Sequence, residues 1–135
     1  MEYKRTSVQQ VLQAAAAECY SLRHSAIDTE HVLLAMMKTG GMETQALVRA
    51  GANYNTLRKI LLNNTEPGTD ENPSIQTSAA VRRLLGQARQ IALQNNEQEI
   101  FAEYILFAIL NDKSGMASVM LTIADVDKRS IYQNL

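Results

Sequence analysis

The sequence predicts an all-α fold of eight helices, built as two four-helix repeats related by a pseudo-twofold axis. A shift of 73 positions places Glu30 on Glu103 and sets apolar residues of the first half on apolar residues of the second. The chain is 46% hydrophobic with only 2 prolines, and its apolar residues recur at helical spacing in both halves. We therefore expect all 135 residues to form a single domain, with repeat one at 7–62, a linker at 63–76 and repeat two at 77–135.

Polar residues mark the helix starts of the first half. Ser7, with Gln10 three residues later, forms a capping-box pattern, and apolar residues then follow helical spacing to about Leu22. The second helix is apolar on almost every side, which predicts a central position in the fold. The other helices of this half are predicted at 30–38 after a cap at Asp28 or Thr29, at 42–50 before a stop at Gly51, and after a cap at Asn53.

The second half repeats this series. Ser78 begins a helix that ends near 95–96, two more helices follow at 103–111 and 116–123, and Asp127 caps the last one. The shift becomes 74 positions at this last helix, which predicts one extra residue near Asp125. Residues 63–74 hold both prolines and no large apolar side chain. They are predicted to join the halves on the surface without contributing to binding.

Charge and composition exclude several classes of protein. A net charge of −1 and a pI near 6.1 give no global field for nucleic acid or an anionic membrane. One cysteine makes no internal disulfide, and we expect no signal peptide, no membrane span and a cytoplasmic location. The two histidines and one cysteine lack ligand spacing. With no P-loop or catalytic grouping in view, we expect neither an enzyme nor a bound metal or cofactor.

One motif resembles a known family. Residues 27–37 read Ile-Asp-Thr-Glu-His followed by an apolar run, then come Gly40-Gly41 and a short helix that ends before Gly51. This unit, present twice, resembles the doubled N-terminal motif of Clp-family AAA+ protein unfoldases, and most strongly their ClpC-like branch. The resemblance covers essentially the whole chain. It implies a mobile module that docks adaptor proteins and protein substrates ahead of the ATPase rings, which would lie beyond Leu135.

The resemblance also implies site residues. In Gram-positive ClpC-like members the motif glutamate faces outward and takes part in binding arginine-phosphorylated substrates, so Glu30 and Glu103 are implied as contacts to phosphoarginine. There a Thr or Ser at the start of each half's first helix reaches the phosphoryl group. The matching position, 25 residues before each glutamate, holds Ser78 in the second copy and Arg5 in the first, where Thr6 and Ser7 are the neighbouring hydroxyls.

Other interpretations remain open from the residues alone. Glu30 and Glu103 are also typical first-turn acids that favour a helix start. Asp28 stands where the family favours Gly. A stand-alone adaptor-like protein without an ATPase is one alternative function, and an all-helical nucleic-acid-binding regulator is another.

Overall fold

The computed structural model describes residues 4–66, 68 and 76–135. Within these ranges the chain forms eight helices and two short strands, so the all-α prediction is confirmed. In chain order the elements are α1 Val8–Ser21, β1 Ala26–Ile27, α2 Thr29–Met36, α3 Met42–Arg49, α4 Tyr54–Asn64, β2 Gln76–Thr77, α5 Ala79–Gln94, α6 Ala102–Asn111, α7 Met116–Ile123 and α8 Lys128–Gln133.

The predicted caps set the helix starts. The Ser7 hydroxyl accepts a hydrogen bond from the Gln10 backbone N–H over 3.2 Å, and the Gln10 side chain accepts one from the Ser7 N–H over 2.9 Å. This reciprocal pair is the capping box that the sequence predicts. Asp28, rather than Thr29, caps α2, and the remaining side-chain caps are Asn53, Ser78 and Asp127.

Two apolar helices form the centre of the molecule. All eight residues of α2 are buried, as are eight of the ten residues of α6. In each repeat the first helix packs on the second, α1 on α2 and α5 on α6. A helix that is apolar on every side needs partners on every side, which explains why the later helices gather around α2 and α6.

The two repeats share one core. Helix α2 of the first repeat packs on α7 of the second, α4 also packs on α7, and α3 packs on both α6 and α8. A backbone hydrogen bond from Asp127 N–H to Ala50 O, 3.0 Å long, joins the repeats as well. One cluster of buried apolar side chains therefore runs through both repeats. None of the helices in the ranges given above is long and apolar enough to cross a lipid bilayer.

A short parallel strand pair was not predicted. Strand β1 pairs with β2, with Ala26 opposite Gln76 and Ile27 opposite Thr77. Two residues are too few to carry an alternating pattern, so no sequence signal was available. The pair holds the start of α5 beside the start of α2.

The position of the extra residue in repeat two is a correction. Gly41 and Gly115 occupy the N-cap positions of α3 and α7, and Gly51 and Asp125 both follow these helices with positive φ, 98° and 55°. These helices and their caps already correspond at a shift of 74. The insertion therefore lies before Gly115, in the loop between α6 and α7, and the predicted position near Asp125 is wrong.

The wrong register came from one apolar match. The shift of 73 positions sets Val48 on Leu121, but Val48 is 51% exposed and Leu121 is fully buried. The buried residue that corresponds to Leu121 is Leu47. Two adjacent apolar residues in α3 made both registers acceptable until burial distinguished them.

Candidate ligand-binding site

The two motif glutamates begin the central helices. Glu30 lies in the first turn of α2 and Glu103 in the first turn of α6, with 8% and 6% of their surfaces exposed. The resemblance implied outward-facing side chains, whereas both residues are buried. In each carboxylate the Oε1 atom is buried and has no hydrogen-bond partner among the described residues. Each glutamate nevertheless lines a pocket that is open at the surface.

The pocket at Glu30, which we call the Glu30 pocket, has a volume of about 410 Å³. Burial raises the pKa of the Glu30 carboxyl, a hydrogen bond from the residue's own backbone N–H opposes that rise, and the charge of Asp28 adds to it. The remaining lining residues are Arg23, His24, Ser25, Ala26, Asp28, His31 and Gly68. A carboxylate that is short of hydrogen-bond donors at a pocket wall is suited to receive a cationic donor.

Ser78 contacts Asp28, which lines the Glu30 pocket, and does not contact Glu103. Its hydroxyl donates to Asp28 Oδ1 over 3.1 Å and accepts from the Val81 backbone N–H over 3.1 Å. Asp28 Oδ1 also accepts from the Thr29 N–H over 2.8 Å. The residue that caps α5 in the second repeat therefore contacts the residue that caps α2 in the first repeat.

A guanidinium already lies at Glu103. Arg5 Nε donates to Glu103 Oε2 over 2.9 Å, and Arg5 Nη2 donates to Glu97 Oε1 over 2.9 Å and to the Tyr104 hydroxyl over 3.4 Å. The Arg5 Cζ atom lies 3.7 Å from the centroid of the Phe101 ring, which is cation–π distance. We call these four residues around Arg5, which are Glu97, Phe101, Glu103 and Tyr104, the Glu103 cage.

Hydrogen bonds within the Glu103 cage shift the pKa values of the residues that form them. Hydrogen bonding to Glu97 is the largest cause that raises the pKa of Arg5, and hydrogen bonding to Arg5 lowers the pKa of Glu97. The Tyr104 hydroxyl donates a short hydrogen bond to Glu97. A second pocket of about 420 Å³ adjoins the cage and is lined in part by Met42, Phe107 and Leu135.

The other two predicted hydroxyls have structural partners. Thr6 is 1% exposed, and its hydroxyl donates to Glu43 Oε2 over 2.8 Å inside the molecule. Ser7 caps α1 and forms an isolated bridge with Phe101. Thr6 and Ser7 therefore lie beside the Glu103 cage but are held by contacts within the fold.

Each site combines parts of both repeats. The segment before α5 supplies Ser78 to Asp28 of the Glu30 pocket, and the segment before α1 supplies Arg5 to Glu103. The resemblance implied Ser78 together with Glu103, because the two residues belong to the same copy. The exchange arises where each segment pairs with the other repeat, through β1 with β2 and through Ser7 with Phe101.

Several site residues were missed. Arg5 was noted only as a departure from the family, and Phe101 and Tyr104 carried no signal before Arg5 was placed between them. The linker, predicted to take no part in binding, contributes the Gly68 backbone to the wall of the Glu30 pocket, and its Glu66 carbonyl accepts from His24 Nε2 over 3.2 Å. Linker residues 67 and 69–75 lie outside the described residues, whereas 63–64 belong to α4 and 76 belongs to β2.

The comparison with protein families identifies the fold. The model of the Clp repeat (R) N-terminal domain matches residues 5–121 and 76–135. The chain belongs to this family. In this Clp N-terminal domain, the described ranges contain no group of three or more His, Cys, Asp or Glu residues that could hold a metal ion.

Curated relatives are far longer than the domain. The chaperone protein ClpB of Pseudomonas putida is 31% identical over 123 residues, which is 82% of this chain and 14% of that protein. The negative regulator of genetic competence ClpC/MecB of Bacillus subtilis is 25% identical over 128 residues, 94% of this chain and 16% of that protein. The Clp N-terminal domain thus corresponds to about one seventh of these proteins.

Solved structures share the fold. The Hsp104 N-terminal domain from Candida albicans matches with a TM-score of 0.76 at 19% identity, over 99% of this chain and 89% of that one. A ClpV N-domain in complex with a VipB peptide matches with a TM-score of 0.72 at 15% identity, over 96% and 88% of the two chains. At these identities the likeness concerns the fold alone.

Proposed function

We propose that this Clp N-terminal domain is a non-catalytic protein-interaction module that binds adaptor or substrate polypeptides and presents them to Clp ATPase rings. The Glu30 pocket is the proposed docking point, and an arginine side chain is the group it holds. The observation that carries this proposal is the buried Glu30 Oε1, which has no partner among the described residues and belongs to a residue lining an open pocket of about 410 Å³. The ClpV N-domain with its VipB peptide supports peptide binding by this fold.

A guanidinium suits the Glu30 carboxylate for two reasons. Its planar fork donates two parallel N–H groups, so it satisfies a carboxylate in a fixed geometry. The raised pKa of Glu30 follows mainly from burial, and a bound cation reverses that effect by favouring the ionised form. The Glu103 cage gives a precedent within the same molecule, because Arg5 Nε donates to Glu103 there.

Phosphoarginine is the ligand that the resemblance implies, and two charged residues of the pocket act on it in opposite directions. Arg23 attracts a phosphoryl group, whereas the Asp28 carboxylate repels it. Asp28 Oδ1 also takes the hydrogen bonds of Thr29 N–H and of the Ser78 hydroxyl, which a phosphoryl group at this helix start needs. We therefore propose that unmodified arginine binds here more tightly than phosphoarginine.

Calorimetric titration tests the site with two probes, N-acetyl-arginine amide and free phosphoarginine. We expect Glu30→Gln to weaken binding of the arginine probe by at least about tenfold, because it removes the charge that pairs with the guanidinium. Glu99→Gln is the matched control, since Glu99 is exposed and does not line the pocket, and it should bind as the native protein does. Asp28→Gly should shift the preference towards phosphoarginine. Equal binding by native protein and Glu30→Gln would overturn the assignment.

A further inference from the structure

We infer that Arg5 is an internal ligand of the Glu103 cage, so that this domain offers one open guanidinium site and keeps the related site closed with its own side chain. The inference depends on the proposed function only in taking a guanidinium as the group that both sites receive. The cage itself is defined by contacts made within the chain.

The contacts around Arg5 are those of a guanidinium-binding site. Two carboxylates, Glu97 and Glu103, each accept one N–H group over 2.9 Å, and the Phe101 ring lies against the guanidinium face. Charge, hydrogen bonding and stacking act together here, and only a planar cation meets all three. Lysine at position 5 would keep the charge but lose the fork and most of the stacking.

The backbone presents Arg5 to the cage. Met42 N–H donates to Lys4 O over 3.0 Å on one side of Arg5. On the other side Val8 N–H donates to Ile100 O over 3.2 Å, and Ala102 N–H donates to Thr6 O over 2.9 Å. With the backbone fixed on both sides, Arg5 competes for the cage at the high effective concentration of a short tether, on the order of millimolar or above.

The fit of Arg5 is incomplete, which makes it displaceable. Its N–H groups are divided between Glu103 and Glu97, so Glu103 Oε1 stays buried without a donor. The adjoining pocket of about 420 Å³, with Met42, Phe107 and Leu135 in its wall, is not filled by Arg5. A separate peptide with an unmodified arginine next to an apolar residue can use both features. With two carboxylates in the cage, a phosphoryl group is disfavoured.

One position in the repeat explains why the sites differ. The shift that places Glu30 on Glu103 also places Arg5 on Ser78. Because the two segments exchange partners, Arg5 fills the Glu103 cage, while the neutral Ser78 donates to Asp28, which lines the Glu30 pocket. The charged Arg5 thus closes the Glu103 cage, whereas the neutral Ser78 leaves the Glu30 pocket open.

The test uses calorimetry and NMR on native protein, Arg5→Gln and Arg5→Gln/Glu103→Gln. At concentrations that just saturate the open site, N-acetyl-arginine amide should bind native protein with one equivalent and Arg5→Gln with two, and the double variant should again bind one. Only a large excess of a guanidinium probe should displace Arg5 and fill the second site of native protein. Ethylguanidinium should bind Arg5→Gln at least about tenfold more tightly than ethylammonium does. Only the guanidinium is planar, so that it can stack on the Phe101 ring and donate N–H groups to two carboxylates at once. In native protein the Arg5 Nε–H resonance should move to its free-chain position as ethylguanidinium is added.

The outcomes separate this inference from the proposed function. If native protein takes no N-acetyl-arginine amide at these concentrations but Arg5→Gln takes one equivalent that Glu103→Gln abolishes, the internal ligand stands and the Glu30 proposal fails. If Arg5→Gln folds with unchanged circular dichroism and gains no equivalent, the internal ligand is overturned. An Arg5 Nε–H resonance that stays fixed in native protein at saturating ethylguanidinium would show that Arg5 is a permanent structural ion pair. That result overturns the inference even if Arg5→Gln does not fold.

Discussion

His24 and His31 share a hydrogen bond of 2.9 Å between His24 Nδ1 and His31 Nε2. The Asp28 backbone N–H donates to His31 Nδ1 over 2.9 Å, so the His31 proton must be on Nε2, where it is donated to His24. His24 Nε2 then donates to the Glu66 carbonyl over 3.2 Å. This chain of hydrogen bonds ties α2 to the start of the linker.

The first prediction is that the domain loses stability in mild acid through His31. Burial, followed by the neighbouring His24, lowers the pKa of His31 from 6.5 to about 4. The unfolded chain therefore binds the proton first as the pH falls, so stability drops from about pH 6.5 and levels off near pH 4. The full loss from this group is up to about 3 kcal/mol, which is measured as the fall in melting temperature across that range.

His31→Gln isolates this effect, because glutamine can still accept from Asp28 but does not titrate. Glu30 acts in the opposite direction in the same acid range, since its raised pKa lets the folded state gain a proton before the unfolded chain does. Glu30 is present in both proteins, so the difference between them reports His31. A melting temperature that falls by the same amount with pH in native protein and in His31→Gln would contradict the prediction.

The second prediction is that the same substitution has opposite effects at the two motif glutamates. Glu30→Gln should stabilise the domain at pH 7 by about 1 kcal/mol, because it removes a buried charge with an unpaired oxygen. Glu103→Gln should destabilise it by about 1–2 kcal/mol, because it leaves Arg5 without one of its carboxylates. Urea unfolding of both variants measures whether each substitution raises or lowers the free energy of unfolding.

The sign difference is the part that bears on function. A carboxylate that costs stability at Glu30 is typical of a binding residue, whereas one that adds stability at Glu103 is already paired. Two variants that shift the urea midpoint in the same direction would contradict the asymmetry between the sites.

The third prediction concerns two glycines with opposite surroundings. A Cβ at Gly41 would meet Glu43 Oε1 and Thr6 Oγ1 at overlapping distance and Lys4 O at 2.7 Å. Gly41→Ala should therefore destabilise the domain by about 1–3 kcal/mol and loosen the segment that carries Arg5. Gly86, inside α5, has nothing within 4 Å of such a Cβ. Gly86→Ala should raise stability by about 0.5–1 kcal/mol, and thermal unfolding of this matched pair checks both values.

The fourth prediction compares the two helix caps that meet the sites. Ser78→Ala removes the cap of α5 and the contact to Asp28, and Ser7→Ala removes one half of the capping box of α1. Each should cost about 1 kcal/mol in chemical unfolding. Only Ser78→Ala should also change the chemical shifts of the Glu30 pocket. If Ser7→Ala changed the chemical shifts of the Glu30 pocket by as much as Ser78→Ala does, the two segments would not belong to separate sites.

Much of the fold could be predicted because its signals are local. Caps such as Ser7, Asn53 and Asp127 satisfy N–H groups only three residues away, so their effect is visible in a short stretch of sequence. The apolar run of α2 needs burial whatever surrounds it. The strand pair β1–β2 was missed and the extra residue of repeat two was placed after α7 instead of before it, because each depends on residues far apart in the chain.

The sequence by itself determined the duplication, the helices and the two glutamates that begin α2 and α6. Only the tertiary structure decided that Arg5 meets Glu103 and that Ser78 meets Asp28 beside Glu30, since both residues cross to the other repeat. The physical reason is that periodicity and capping act within a few residues, whereas the contact between the Arg5 guanidinium and the Glu103 carboxylate joins residues that are 98 positions apart and depends on how the whole chain packs.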